Sequence, residues 1–119
     1  MHTRIAADEH SEAWLLTWLP GQGTDIHDHG GSEGAFVILR GTLSEWTPGG
    51  LRSRGRTRRL RGGEVRPFGA QHVHRVRNDA PEPAISLHVY APRLETMTRY
   101  AHVAGCLVPL ATDRAGADW

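Results

Sequence analysis

Trp18-Leu-Pro-Gly-Gln-Gly-Thr-Asp-Ile-His-Asp-His29 is the stretch on which the reading of this chain turns. An apolar run ends at a Pro-Gly break, and the next extended segment carries His27 and His29 two residues apart. Side chains alternate along a strand, so this pair shares one face. Neutral imidazoles are the commonest metal ligands, and two on one face supply adjacent corners of a coordination sphere. Two surface histidines on a strand would have the same spacing. The surroundings decide between the two readings.

Outward from this stretch, apolar runs are short and punctuated by glycine and proline, which argues for strands. Residues 14–19, 35–39, 43–46, 73–77 and 85–91 read as strands. The breaks fall at Pro20-Gly21, Gly30-Gly31, Gly41, Pro48-Gly49-Gly50, Gly62-Gly63, Pro67 with Gly69, and 79–83. They recur at roughly the 8–12-residue spacing of a sandwich or barrel. Helical periodicity is confined to a short piece around residues 93–100. With no repeat and no dividing linker, residues 1–119 read as a single all-β domain, a small barrel or double-sheet jelly roll.

Bulk properties narrow the function. A net charge of +1 implies no general attraction to nucleic acid or to a membrane surface. No apolar stretch approaches the ~18–20 residues of a membrane span, and the start lacks the basic-then-apolar run of a signal peptide. Cys106 is the only cysteine, which excludes an internal disulfide framework and suits a reducing, cytoplasmic setting. All 14 basic residues are arginine, and six of them (Arg52, Arg54, Arg56, Arg58, Arg59 and Arg61) crowd one segment. With no aromatic residues interleaved and a near-neutral total, this run reads as a solvated hairpin connection, not a nucleic-acid contact. Eight histidines exceed what packing needs in a chain of this size. Metal or proton chemistry is the expectation.

Gly21, His27, His29, Glu33 and Gly41 resemble the first of two short cupin motifs, with Glu33 one residue early. Pro67, Gly69, His74 and Asn78 are similar to the second. There, His72 satisfies the spacing from Gly69 and His74 the spacing to Asn78. Two apart on a strand, both can face the barrel interior.

The resemblance narrows to the thiol dioxygenases of the cysteine dioxygenase type, in a bacterial-type, N-terminally short form. It rests on Trp18 with its glycine-containing turn and Ile26-His-Asp-His29, then Leu39-Arg-Gly41 with Leu43 and Glu45. His74-Arg-Val-Arg-Asn78 follows, and then Ser86-Leu-His-Val-Tyr90 with Ala91-Pro92. Together these motifs cover about residues 14–92. The resemblance implies a cupin-type jelly-roll β-barrel holding one Fe(II) on His27, His29 and His74, with His72 at a position the family does not use for metal. Where ordinary non-haem iron sites combine two histidines with a carboxylate, three neutral imidazoles leave the full ionic charge in place. That charge favours an anionic ligand such as a thiolate. The implied reaction adds both atoms of O2 to a thiol sulfur and gives a sulfinic acid, as in conversion of cysteine to cysteine sulfinate.

The same resemblance assigns the supporting residues. Ser86, His88 and Tyr90 alternate on one strand and would form a hydrogen-bonded series that brings the phenol to the substrate. The Ala91-Pro92 bond falls where a cis proline is expected. Arg4 lies where the family clamps the substrate carboxylate, a task suited to a guanidinium fork, and Met97 lies near the substrate pocket. His2 stands in place of the usual tyrosine. Gly34 occupies the position of the cysteine that animal members cross-link to the active-site tyrosine. Glu33 reads either as a solvent-facing strand residue or as an acidic group near the iron. The chain starts three residues before Arg4, short of the family's helical N-terminal region.

Competing readings are a 3-mercaptopropionate-type thiol dioxygenase, a non-catalytic or sensory metal-binding cupin, and an isomerase using Zn or Mn with Glu33 and His72 as extra ligands. The expected partners are a small-molecule thiol and O2, without nucleic acid or membrane, on a monomer or weak homodimer.

Overall fold

The computed structural model describes residues 1–115, so 116–119 of the expected domain lie outside the described residues. The described residues form eleven strands and no helix: β1 (His2–Ala7), β2 (Glu12–Trp18), β3 (Ile26–His27), β4 (Glu33–Arg40), β5 (Thr42–Thr47), β6 (Arg56–Arg61), β7 (Val65–Phe68), β8 (Arg75–Arg77), β9 (Ala84–Ala91), β10 (Thr96–Val103) and β11 (Cys106–Arg114). One sheet runs β1-β2-β9-β4-β7. Two three-stranded sheets, β11-β10-β3 and β6-β5-β8, are joined by the isolated bridges Gly23–Arg77 and His27–His74 into a second layer. This is a double-sheet jelly roll, as the turn spacing predicts.

β9 is the axis of the first sheet. Its side chains alternate buried and less buried from Ala84 to Tyr90, the period-two pattern of a strand with one face inside. Its inward residues Ser86, His88 and Tyr90 lie opposite Leu16, Trp14 and Glu12 of β2 and opposite Ile38, Phe36 and Gly34 of β4. The apolar core beneath them comprises Trp18, Phe36, Ile38, Leu43, Leu60, Phe68 and Val76, all at most 8% exposed. Polar inward residues of β9 therefore sit inside an otherwise apolar barrel, and only hydrogen bonding makes that tolerable.

The five strands read from sequence are all present. Four differences have physical causes. Residues 93–100 are not helical; Thr96–Val103 forms β10, whose backbone groups are taken up by β11 and β3. Pairing across sheets overrides a weak local period. The arginine run is not a loop but includes edge strand β6, which pairs with β5 and turns Leu60 inward while its other residues face solvent. β7 accommodates Pro67 because it is an edge strand, where the missing N–H can fall on the unpaired side. β8 is shorter than residues 73–77, because His74 leaves the β5 ladder to pair with His27. No helix among the described residues is long and apolar enough to cross a membrane.

Candidate metal centre

Both ligand-bearing segments are tied together before any side chain is considered. The His27 N–H donates to the His74 carbonyl (2.9 Å) and the His74 N–H to the His27 carbonyl (3.1 Å). Between the two histidines of the pair, Asp28 points the other way. Its carboxylate accepts from the Thr98 N–H (2.9 Å), the Gly30 N–H (3.1 Å) and the Tyr100 hydroxyl (2.8 Å), which pins the segment to β10. Gly30 and Gly31, both at positive φ, turn the chain back immediately after His29.

The three imidazoles of His27, His29 and His74 form a near-equilateral group. Ring centroids are 4.8–5.0 Å apart and the planes cross at 66–76°. One nitrogen from each lies within 4.8 Å of the others. The His27 Nδ1–H donates to the Asp25 carbonyl at 2.8 Å, and the His74 Nδ1–H donates to Glu45 Oε2 at 2.7 Å. Both tautomers thereby leave an Nε2 lone pair unused. His29 is 1% exposed, and neither of its ring nitrogens has a hydrogen-bond partner. An orphaned buried polar group costs about 1–3 kcal/mol, and a shared cation would satisfy it. Three convergent neutral nitrogens fit a divalent transition metal with room for further ligands.

Electrostatics keep these rings neutral. Burial pushes the His29 pKa down to about 2 and the His74 pKa down to about 4, with the neighbouring imidazoles adding to the effect. Burial also lowers that of His27. Neutral imidazole is the form that binds metal.

Glu45 separates the roles of His72 and His74. His72 stands behind the trio, its Nε2–H donating to Glu45 Oε2 at 3.0 Å, the same oxygen that His74 uses. Glu45 is 2% exposed and receives the Arg66 Nε–H on Oε1 at 2.7 Å. Burial alone would raise the Glu45 pKa, but the donors from His72, His74 and Arg66 outweigh it and hold the carboxylate ionised. Glu45, His72 and His74 are also close enough to be a ligand group. Their facing atoms, however, are already spent on one another. The motif reading includes Glu45 without a role for it; the signal was an acidic residue within the buried run Leu43–Trp46 of β5. Glu33 is exposed on β4 and belongs to neither group, so it reads as a solvent-facing strand residue.

A cavity of about 250 Å³ opens beside His27, walled by Tyr90, Met97, Trp14, Leu94 and Arg99. Tyr90 is 8% exposed, and burial pushes its pKa well above the ordinary value, so the phenol keeps its proton. Below it, the Trp18 indole N–H donates to Ser86 Oγ (2.9 Å), which is bonded to His88 Nε2 (2.7 Å). Burial lowers the His88 pKa to about 3. The His88 and Tyr90 rings are 6.4 Å apart between centroids, and the hydrogen-bonded series runs Trp18–Ser86–His88 without reaching the phenol. The Ala91-Pro92 bond is cis, and Met97 lines the cavity.

Arg4 lies on edge strand β1, outside the residues that wall the cavity. β1 pairs with β2, and the register Arg4–Trp14 puts Arg4 on the cavity side of the sheet. It is nevertheless exposed, and His2 rather than Arg4 forms the wall at that end. β1 is an edge strand whose six residues are all exposed. The arginine in the wall is Arg99, which lies opposite His27 in the β10–β3 pairing. Its guanidinium is engaged by Asp113 (2.8 Å) and Asp25 (3.6 Å).

Among solved structures, the fold is similar to TT1209 from Thermus thermophilus, with a TM-score of 0.68 and 28% identity over 78% of this chain and 83% of that one. It is also similar to the Cnp3 cupin domain of Schizosaccharomyces pombe (TM-score 0.67, 14% identity, 76% of this chain and 59% of that one), a likeness of fold alone. In sequence, a cysteine dioxygenase type 1 from Danio rerio is 29% identical over 116 residues, covering 87% of this chain and 58% of its own length. The chain thus spans little more than half of that relative. The model of the family described as cysteine dioxygenase type I matches residues 2–103. That match takes in the three histidines, Glu45 and the Ser86–Tyr90 strand together, and the chain belongs to the cysteine dioxygenase type I family.

Proposed function

We propose that this protein is a thiol dioxygenase that holds Fe(II) on His27, His29 and His74. The observation that carries the reading is the convergence of three neutral, buried imidazoles with the orphaned nitrogens of His29 beside a small, largely apolar cavity. Overall, R–SH and O2 combine to R–SO2H; four electrons pass from sulfur to dioxygen and no other reductant is needed. Ferrous iron, when bound, supplies the charge that favours thiolate over thiol and the redox partner through which O2 and sulfur react.

The chain's own groups do the rest. Tyr90 presents a protonated phenol at the cavity wall, a hydrogen-bond donor for the reacting end of the substrate. His88, fixed by Ser86 and stacked at 5.0 Å on Phe36, supports the strand that carries Tyr90. Trp14, Leu94 and Met97 exclude water from around the sulfur. From its exposed place on the cavity face of β1, opposite Trp14, Arg4 is the guanidinium that would reach a substrate carboxylate, since Arg99 already pairs with Asp113 and Asp25. This favours cysteine or 3-mercaptopropionate over thiols without an acid group.

Anaerobic loading with Fe(II), followed by oxygen uptake with cysteine, 3-mercaptopropionate and cysteamine, tests the reading. Sulfinate formed at one O2 per thiol supports it. Tight iron binding without oxygen uptake on any thiol overturns it in favour of a sensory or non-catalytic cupin.

A further inference from the structure

The proposed ligand trio does not explain why a carboxylate lies fully buried behind it. Glu45 belongs to β5, on the sheet next to the bridge that carries His74, and its side chain is 2% exposed. Each of its oxygens is used. Oε2 accepts from His74 Nδ1 (2.7 Å) and His72 Nε2 (3.0 Å), and Oε1 accepts from Arg66 Nε (2.7 Å). Burying a charge this deeply is costly unless it is paired and fully hydrogen-bonded. Here it is both, through a set of donors with a single contact to the trio, at His74.

We propose that Glu45 is the positioning residue of the metal centre: it fixes the tautomer and ring orientation of His74, raises that ligand's basicity, and is itself aimed by Arg66, while His72 competes with His74 for the same oxygen. The inference rests on the reading of His74 as a metal ligand. Its chemistry is general. A carboxylate on the far nitrogen of a ligating imidazole pushes electron density toward the metal-facing nitrogen, and losing such a partner lowers metal affinity by about 10–100-fold. Among the three proposed ligands, His74 alone has this support. His27 leans on a neutral carbonyl at Asp25, and His29 has no hydrogen-bond partner. The centre is therefore asymmetric, with one strong donor. His72 shares the oxygen that His74 uses and so holds back part of that donation. Phe68, stacked on His72 at 5.1 Å and on His29 at 4.6 Å, keeps it in place.

The test uses Co(II) alone as the probe, so that it does not depend on turnover. Metal affinity is measured by competition with a chelator, and the visible d–d absorption of the loaded fraction is recorded for wild type, Glu45→Gln, Glu45→Asp and His72→Phe. The expected result is a loss of affinity of about 10–100-fold in Glu45→Gln with shifted absorption bands, partial recovery in Glu45→Asp, and unchanged or several-fold tighter binding in His72→Phe. A folded Glu45→Gln protein with wild-type affinity and spectrum overturns the proposal. If Glu45→Gln does not fold, His72→Phe decides: retained or tighter Co(II) supports the proposal, and a tenfold loss overturns it. Wild-type protein that binds no Co(II) defeats the metal reading itself, and this inference with it. Wild-type protein that binds Co(II) but oxidises no thiol leaves the positioning role intact and defeats only the dioxygenase reading.

Discussion

At His74 a backbone bridge to His27, a carboxylate contact to Glu45 and a free Nε2 coincide. Removing that ring subtracts one of three donors and leaves Glu45 without its closest imidazole partner. His74→Ala is expected to lose bound iron by at least an order of magnitude on metal analysis of purified protein, an outcome that retained stoichiometric iron would contradict. Tyr90 acts differently, because its phenol faces the cavity and is not part of the trio. Tyr90→Phe should keep its iron and lose roughly 100- to 10,000-fold in kcat for thiol oxidation, the range of one positioned proton donor. Equal kcat in the two proteins would reduce Tyr90 to core packing. On β1, Arg4→Ala should raise KM for cysteine by about tenfold, the equivalent of a ~1.4 kcal/mol charge-assisted contact, and leave cysteamine nearly unaffected. A KM for cysteine that does not move would take Arg4 out of substrate binding.

Among the elements, β9 does the most, since both its neighbours read out its register. The pairings Gly34–Tyr90 and Phe36–His88 place the polar ladder against β4, and there is no space at Gly34 for a side chain. A Cβ built there meets the Val89 carbonyl oxygen and comes within 2.8 Å of the Phe68 ring. The cysteine that animal relatives are expected to carry at this position would thus require the β4–β9 spacing to open. Gly34→Ala is predicted to cost about 1–3 kcal/mol as an overpacked site, seen as a lower urea midpoint at unchanged slope. The loop after β8 depends on Asn78, which is fully buried. Its amide donates to the carbonyls of Trp18 (3.0 Å) and Glu82 (2.8 Å), and its oxygen accepts from the Ala80 N–H (3.0 Å). The histidine motif and the Trp18 turn are stapled through that one side chain.

For the molecule as a whole, the buried imidazoles set the acid limit. In an unfolded chain a histidine takes up a proton near its ordinary value of 6.5; in the fold His74, His88 and His29 resist until about 4, 3 and 2. Below about pH 6.5 the unfolded state binds more protons, so stability is fully present above that pH and falls as the pH drops toward those values. Each such group contributes a slope of up to about 1.4 kcal/mol per pH unit. Metal-free protein should therefore show a clearly lower urea midpoint at about pH 5.5 than at about pH 7.5, and added metal should restore much of it by binding only the neutral rings. Identical midpoints at the two pH values would mean that the rings are not buried in neutral form.

The alternation at Ile26–His29 and Ser86–Tyr90 and the glycine and proline breaks were enough for a small barrel or double-sheet jelly roll, and only the resemblance of the ordered motifs set His74 beside His27 and His29. Those features are local: a period of two and a break in the chain depend only on neighbouring residues. Sequence could not choose between His72 and His74 by spacing, because both lie on one face of the same segment. In the structure Glu45, 27 and 29 residues away, takes a nitrogen of each, and of the two rings it is that of His74 that also groups with His27 and His29. The strand at Thr96–Val103 and the exposed position of Arg4 were likewise hidden. A strand's identity depends on the partners that satisfy its backbone, and a side chain's reach depends on what is packed over it.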